Sequence, residues 1–167
     1  PRVEEIPFDS SRKRMITVHH IKNPQPADIS PFDEQKRYTG YVVAVKGAPD
    51  LVLDLCTRYQ KKDDTQASLN EAQRMRILAA NDAMTQEALR VLGVAYKVVQ
   101  DLPDLKDVAA IEKDLIFVGL VGMIDPARPE VAPALKNAAH AGIRTIMITG
   151  DYPNTARAIA EAIGLLR

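Results

Sequence analysis

Residues 141–151 read Ala-Gly-Ile-Arg-Thr-Ile-Met-Ile-Thr-Gly-Asp. From Arg144 to Thr149 the stretch is mostly apolar and β-branched, the pattern of a strand buried on both faces. Gly150 and Asp151 make a turn, and Tyr152-Pro153-Asn154-Thr155 offers a proline and capping side chains for a helix start. Apolar residues then recur at Ala156, Ile159, Ala160 and Ile163, a helical stripe closed by Gly164. In an open α/β sheet, the C-terminal edge of such a strand is where ligands sit. A threonine hydroxyl, backbone N–H groups and a helix N-terminus together suit a phosphate. An ordinary βα turn has the same parts, so this stretch alone leaves that plainer reading open.

Just upstream, Glu130 to Ala141 carries a helical stripe (Val131, Ala134, Leu135, Ala138), and Gly142 separates it from the strand. Asp125-Pro126-Ala127-Arg128-Pro129 precedes it, two prolines in five residues that stiffen a crossing between two bodies.

Before that crossing the pattern is different. Pro1 to Phe8 reads as an edge strand with Val3 and Ile6 as its apolar positions. Arg12 to Ile21 reads as a strand with Met15, Thr17 and His19 on one side and Ile16, Val18 and His20 on the other. Asn23 to Gly40 holds three prolines and several charges and reads as a long solvated hairpin connection. Tyr41 to Lys46 is a strong strand that breaks at Gly47. Ala48-Pro49-Asp50 starts a helix to about Arg58 with Leu51, Val52 and Leu55 inward, followed by a polar linker from Gln60 to Gln66. Ser68 then caps a helix from about Leu69 to Leu89, with Glu71 completing a capping box and Ile77, Ala80, Met84 and Ala88 as its stripe. Val91 to Val99 is a strand, Val108 to Lys113 a short helix, and Leu115 to Ile124 an almost wholly apolar strand. Antiparallel β with helices first and βαβ second place a domain boundary near residue 125.

Composition excludes several classes. The 167 residues suffice for one or two domains with a buried core. The 22 Lys plus Arg equal the 22 Asp plus Glu, so no global field recruits nucleic acid or anionic lipid. No run approaches the roughly 18 apolar residues of a membrane span, and no signal peptide opens the chain. The single cysteine, Cys56, excludes an internal disulfide and reads as a small buried apolar residue.

The candidates for chemistry are few. Phe8 stands beside Ser10-Ser11-Arg12-Lys13, where an aromatic face next to cations suits a purine and its phosphates. A core Phe beside a solvated basic turn is the competing reading. Lys46-Gly47-Ala48 ends a strand, where glycine admits a close approach and lysine supplies charge, as an ordinary strand-to-helix turn also does. Arg90, between a helix and a strand, is placed for a polyphosphate or a surface ion pair. Asp125 and Arg128 are placed for a hinge ion pair or as plain loop charges. His19 and His20 lie on opposite strand faces, which excludes a shared metal. Tyr38 and Tyr41 read as packing residues. No metal-ligand cluster, Ser-His-Asp set or GxGxxG is present.

Taken together, Asp125-Pro-Ala-Arg-Pro-Glu-Val131 and Ala141 to Asp151 resemble the P-type (E1–E2) cation-transporting ATPases, most closely the calcium and sodium/potassium pump branch. Phe8 to Met15 is similar to that family's Phe-x-x-x-Arg-Lys-x-Met, Lys46-Gly47-Ala48 to its Lys-Gly-Ala, and Arg90 to its arginine before a Leu-x-x-Ala strand. The resemblance implies an α/β (α+β) fold. Residues 1–124 would be a portion of a nucleotide-binding domain, an antiparallel sheet with flanking helices. Residues 125–129 would be a hinge, and residues 130–167 a partial phosphorylation domain with a haloacid-dehalogenase-like Rossmannoid βαβ segment. It further implies that Phe8 stacks on adenine, that Lys13, Lys46 and Gly47 line the nucleotide pocket, and that Arg90 contacts the ATP phosphates. Thr149, Gly150 and Asp151 would meet the transferred phosphoryl group and help organise a Mg²⁺ site. The ion transported would be calcium, at the cytoplasmic face of a membrane.

Ser10 stands where the family often has an arginine. The phosphoryl-acceptor motif Asp-Lys-Thr-Gly-Thr and the later Gly-Asp-Gly-x-Asn-Asp are missing from these residues. The resemblance therefore implies one contiguous piece of a pump. That piece would bind ATP without turnover, work with the pump's remaining cytoplasmic and transmembrane domains, and dimerise through uncovered sheet edges. A haloacid-dehalogenase-type phosphatase is a second reading, but it needs an Asp-x-Asp nucleophile loop that this sequence lacks. A non-catalytic interaction module is the third.

Overall fold

The computed structural model describes residues 1–21, 40–63, 65–87, 89–124, 127–150 and 153–166. Its elements in chain order are β1 (Arg2–Asp9), β2 (Arg14–Ile21), β3 (Gly40–Gly47), α1 (Pro49–Asp54), β4 (Cys56–Gln60), β5 (Gln66–Ser68), α2 (Glu71–Gln86), β6 (Arg90–Val99), α3 (Val108–Ile111), β7 (Leu115–Met123), α4 (Val131–His140) and α5 (Pro153–Ala162). The strands form one seven-stranded sheet in the order β1-β2-β3-β6-β7-β4-β5. The β1, β2, β3 and β6 ladders are antiparallel, and β4 runs parallel to β7. This is the mixed α/β fold, largely antiparallel with flanking helices, that the sequence leads one to expect.

Alternation along β2 decides which face is core. Ile16 pairs with Val45, and Val18 with Val43. All four are fully or almost fully buried. Val52 and Leu53 of α1, Ile111, Leu115, Phe117 and Ala95 join them in the core. Each such side chain contributes about 1.5–3 kcal/mol of burial. The opposite face of the same strands carries Met15, Thr17 and His19. His20 and Tyr41 form a cross-strand ring pair with centroids 5.1 Å apart, and His19 Nε2 lies 2.9 Å from Thr17 Oγ1. Both histidines have structural partners of this kind.

The chain divides into two compact units, Pro1–Leu78 with Leu92–Val121, and Ala79–Val91 with Gly122–Arg167. In the second unit α4 and α5 form as the apolar stripes predict, and among the described residues of α5 Thr155 and Ala160 are buried. Gly164 takes a φ of +76°, a left-handed turn that an L side chain enters only with strain, and it stops the helix as expected.

Several expectations need correction. Arg144 to Thr149 is not a strand: residues 143–150 have no ladder partner among the described residues, and Ile146 and Ile148 are 74% and 94% exposed. A buried parallel strand owes its order to hydrogen-bonded neighbours on both sides, and no such strand flanks this run among the described residues. The helix after Pro49 ends at Asp54, and Cys56–Gln60, read as its last turn and the start of the linker, form β4 against β7, while Gln66–Ser68 at the linker's far end form β5 against β4. The cap of α2 is Asn70 and not Ser68: Gln73 N donates to Asn70 Oδ1 at 2.9 Å. Leu69 N donates to Thr57 O at 2.9 Å, which keeps residue 68 in strand geometry. On α2, Ala80 is exposed and no residue is buried, although Ile77 lies against the core. Val3, an expected apolar position of β1, is exposed. The connection read at 23–40 and Tyr38 lie almost entirely outside the described residues.

Candidate nucleotide site

The sheet face opposite the core presents the candidate residues of the N-terminal half. β1 is an edge strand, and a bulge interrupts it. Between the pairs Ile6↔Ile16 and Asp9↔Arg14, the two residues Pro7 and Phe8 oppose the single Met15. The extra residue resets the alternation. Ile6 packs against the core, whereas Phe8 is 63% exposed and falls on the side of Met15. Met15 in turn pairs with Lys46 of β3, and Lys46 with Val94 of β6. Phe8, Met15 and Lys46 thus occupy one row across three strands, with the first and last about 10 Å apart by the usual strand spacing. Further along the same face Tyr96 is buried, and its hydroxyl donates to Gln60 Oε1 at 2.7 Å.

The turn that joins β1 to β2 carries Lys13. Asp9 organises it: its Oδ1 accepts from Ser11 N at 2.8 Å, from Arg12 N at 2.9 Å and from the Ser11 hydroxyl. The Ser11 hydroxyl, followed by the Arg12 and Ser11 amides, holds the Asp9 carboxyl below its ordinary value of 3.8. Lys13 closes the turn with a φ of +52°, exposed. Gly47 borders this turn. A Cβ there would stand 2.4 Å from the Lys13 carbonyl oxygen, so what approaches it is the turn itself.

A group that the sequence did not point to anchors this turn. Glu112, 6% exposed at the C-terminal end of α3, accepts from Arg14 Nε at 2.8 Å and Arg12 Nη1 at 3.1 Å through Oε1, and from Arg14 Nη2 through Oε2. Arg14 Nη1 donates to Arg12 O at 3.0 Å. The Glu112 carboxylate holds the Arg14 guanidinium above its usual pKa against the opposing effect of burial. A two-pronged pair of this kind is among the stronger polar contacts, and losing one partner costs about 3–5 kcal/mol when the other is left buried. No local pattern signals it, since 98 residues separate Arg14 from Glu112.

The remaining candidates belong to the second unit. Arg90 is the first residue of β6 and is exposed. Arg128 is exposed, and its carbonyl accepts from Val131 N at 3.0 Å at the start of α4. Thr149 and Gly150 are exposed at the end of segment 143–150, while Asp125 and Asp151 lie outside the described residues. A cavity of about 600 Å³ in this unit is lined by polar and apolar groups together, among them Leu135, Ile143, Arg144, Thr145, Ile146 and Leu165, at the opposite end of that segment from Thr149. Among the described residues no group of three His, Cys, Asp or Glu is placed to hold a metal, and no helix is long and apolar enough to cross a membrane.

An aromatic face in line with a cation, next to a turn that carries a second cation, is suited to a flat base and an anionic tail. Comparison with known proteins identifies the family. The family described as P-type ATPase, cytoplasmic domain N, matches residues 1–130. The chain is 44% identical over 164 residues to a calcium-transporting ATPase 1 of Bacillus cereus, covering 98% of this chain and 16% of that protein. It is 41% identical over 166 residues to a calcium-transporting ATPase 1 of Lactococcus lactis, covering 99% and 17%. To the sodium/potassium exporting P-type ATPase cta3 of Schizosaccharomyces pombe it is 38% identical over 170 residues, covering 98% and 14%. The chain spans about one sixth of the length of these relatives. With a family match across most of its residues and relatives aligned along nearly all of them, the chain belongs to the P-type ATPases, and residues 1–130 correspond to their cytoplasmic domain N.

Proposed function

We propose that this chain is the ATP-binding part of a cation-transporting P-type ATPase, with calcium as the transported ion. The observation that carries the reading is the row Phe8–Met15–Lys46, with Phe8 exposed on an edge strand where a bulge turns it away from the core. In this reading adenine stacks on Phe8, Lys13 and Lys46 draw the phosphates, and Arg90 adds a further cation. Residues 1–124 act as the nucleotide-binding portion, 125–129 as a hinge through Asp125 and Arg128, and 130–167 as part of a haloacid-dehalogenase-like phosphorylation domain. Thr149, Gly150 and Asp151 receive the terminal phosphoryl group there, as Mg·ATP chemistry by positioning and charge neutralisation requires. The names of the relatives and the family match support calcium transport at a membrane and ATP use.

The acceptor motif is absent from these 167 residues, so the chain by itself binds nucleotide without turning it over. The exposed Ile143, Ile146 and Ile148 favour self-association of the isolated chain, which light scattering across a dilution series tests; a monomer at every concentration rejects it.

Titration with a fluorescent ATP analogue tests the site. Phe8→Ala removes a stack worth about 1–3 kcal/mol per base and so weakens binding roughly fivefold to 150-fold. Lys46→Ala weakens it about tenfold through the lost charge-assisted contact. Both side chains are exposed, so the melting temperature stays put. Unchanged affinity in both variants rejects the assigned pocket.

A further inference from the structure

The Glu112 cluster holds the turn that carries Lys13, and no step assigned to the pocket uses it. Three consecutive cations run from the end of the β1–β2 turn, Arg12 and Lys13, into the first residue of β2, Arg14. The outer two are tied to one carboxylate and the middle one is exposed with a left-handed backbone. That carboxylate is itself fixed. Ile111 before it and Leu115 after it are buried in the core. Asp107 Oδ1 caps α3 by accepting from Ala110 N at 3.0 Å. Lys97 Nζ closes the other end of α3 by donating to Ala110 O at 2.7 Å and Lys113 O at 3.1 Å. A stiff segment thus carries the anion, and the end of a four-residue turn with the first residue of β2 carries the cations. Left-handed φ at a lysine is sparsely populated and persists where its surroundings over-determine it.

We propose that Glu112 is a positioning residue for the nucleotide phosphates. By clamping Arg12 and Arg14 it fixes the turn that presents Lys13, and it leaves Lys13 and Lys46 as the cations that face the ligand. The inference rests on the reading of the Phe8–Lys46 face as the ATP pocket. One consequence separates positioning from mere stability. The clamp acts on the phosphate end of the ligand and not on the stack at Phe8.

The experiment measures binding of ATP, adenosine and tripolyphosphate to the 167-residue chain and to Glu112→Gln, an isostere of unchanged volume. ATP binding is expected to weaken about fivefold to tenfold, the range of one well-placed charge-assisted contact. Adenosine binding holds within about twofold, since stacking does not use the turn, and tripolyphosphate binding weakens with that of ATP, since both present phosphates to Lys13. Amide exchange at Ser11 to Arg14 in the ligand-free chain accelerates. Arg14→Lys, which keeps the charge and loses the planar fork, reproduces the ATP loss at smaller size and serves if Glu112→Gln does not fold. ATP affinity unchanged in a folded Glu112→Gln, or all three ligands weakened alike, overturns the proposal. If Phe8→Ala and Lys46→Ala lose ATP while Glu112→Gln keeps it, this inference alone fails. If the unaltered chain binds neither ATP nor adenosine, the pocket reading fails and takes this one with it.

Discussion

Gly47 and Lys13 are locked together at the base of the proposed site. The Lys13 carbonyl accepts from Ala48 N at 3.0 Å, and a side chain at residue 47 would have to occupy space 2.4 Å from that same oxygen. Glycine is thus needed here so that strand β3 can end flush against the β1–β2 turn, and Lys46, its neighbour, is delivered next to the turn that carries Lys13.

Gly47→Ala is therefore expected to lower stability by about 1–3 kcal/mol, the usual cost of forcing an extra methyl into a packed site. Because the displaced atoms are the backbone of Lys13 and the Cα and Cβ of Arg14, ATP affinity falls as well. Urea unfolding and nucleotide titration of the one variant check both. A stable variant with full affinity rejects the close approach.

Asp9 gives the turn an acid limit. Its folded-state pKa is depressed, chiefly by the Ser11 hydroxyl, so its contribution is complete above the ordinary carboxylate value of 3.8 and is lost as pH falls through the lower folded value. Stability of the unaltered chain should decline between about pH 5 and pH 2, and part of that decline should be missing in Asp9→Asn. Denaturant midpoints across that range measure it, and identical slopes in the two proteins exclude the role.

Leu115 is completely buried where β7 begins, beside Ile111 and Phe117. Leu115→Ala is expected to cost about 2–5 kcal/mol through lost burial and the cavity left behind. The same segment carries Glu112 three residues earlier, so the thermal transition should fall by about 2–4 °C per kcal/mol lost while the order of ligand preference persists. Calorimetry with and without nucleotide checks this.

Cys56 is 1% exposed, and its thiol donates to Val52 O at 3.1 Å. Burial pushes its pKa to about 12, which removes the reactive thiolate at neutral pH. A thiol reagent at pH 8 should modify the native chain only through opening, at a rate that rises with added denaturant. Rapid stoichiometric labelling of the folded chain contradicts that burial.

How much of this was legible in the sequence varies by element. β2, β3, β6 and β7 announce themselves because alternation and β-branching operate residue by residue, and Ile16, Val18, Val43 and Val45 are buried as that alternation requires. β4 and β5 escaped because Cys56 to Gln60 has no strong period of its own and is strand only through its partners. The segment 144–149 erred in the opposite direction: its composition is that of a buried strand, yet no described strand pairs with it. For the site, Phe8, Lys13, Lys46 and Gly47 were visible as a motif, while the reason Phe8 faces outward was not. That reason is a bulge, which is a property of the pairing of two strands and not of either one.

By itself the sequence determined which residues alternate, where helices start and stop, and which short motifs belong to the P-type ATPases, because each of these depends on neighbours within a few positions along the chain. Only the tertiary structure decided which face of β1 presents Phe8, why residue 47 must lack a side chain, and that Glu112 grips two arginines about a hundred positions away. These depend on strand register and on close approach between distant segments, and such contacts are set by the cooperative packing of the whole core and leave no periodicity to be read beforehand.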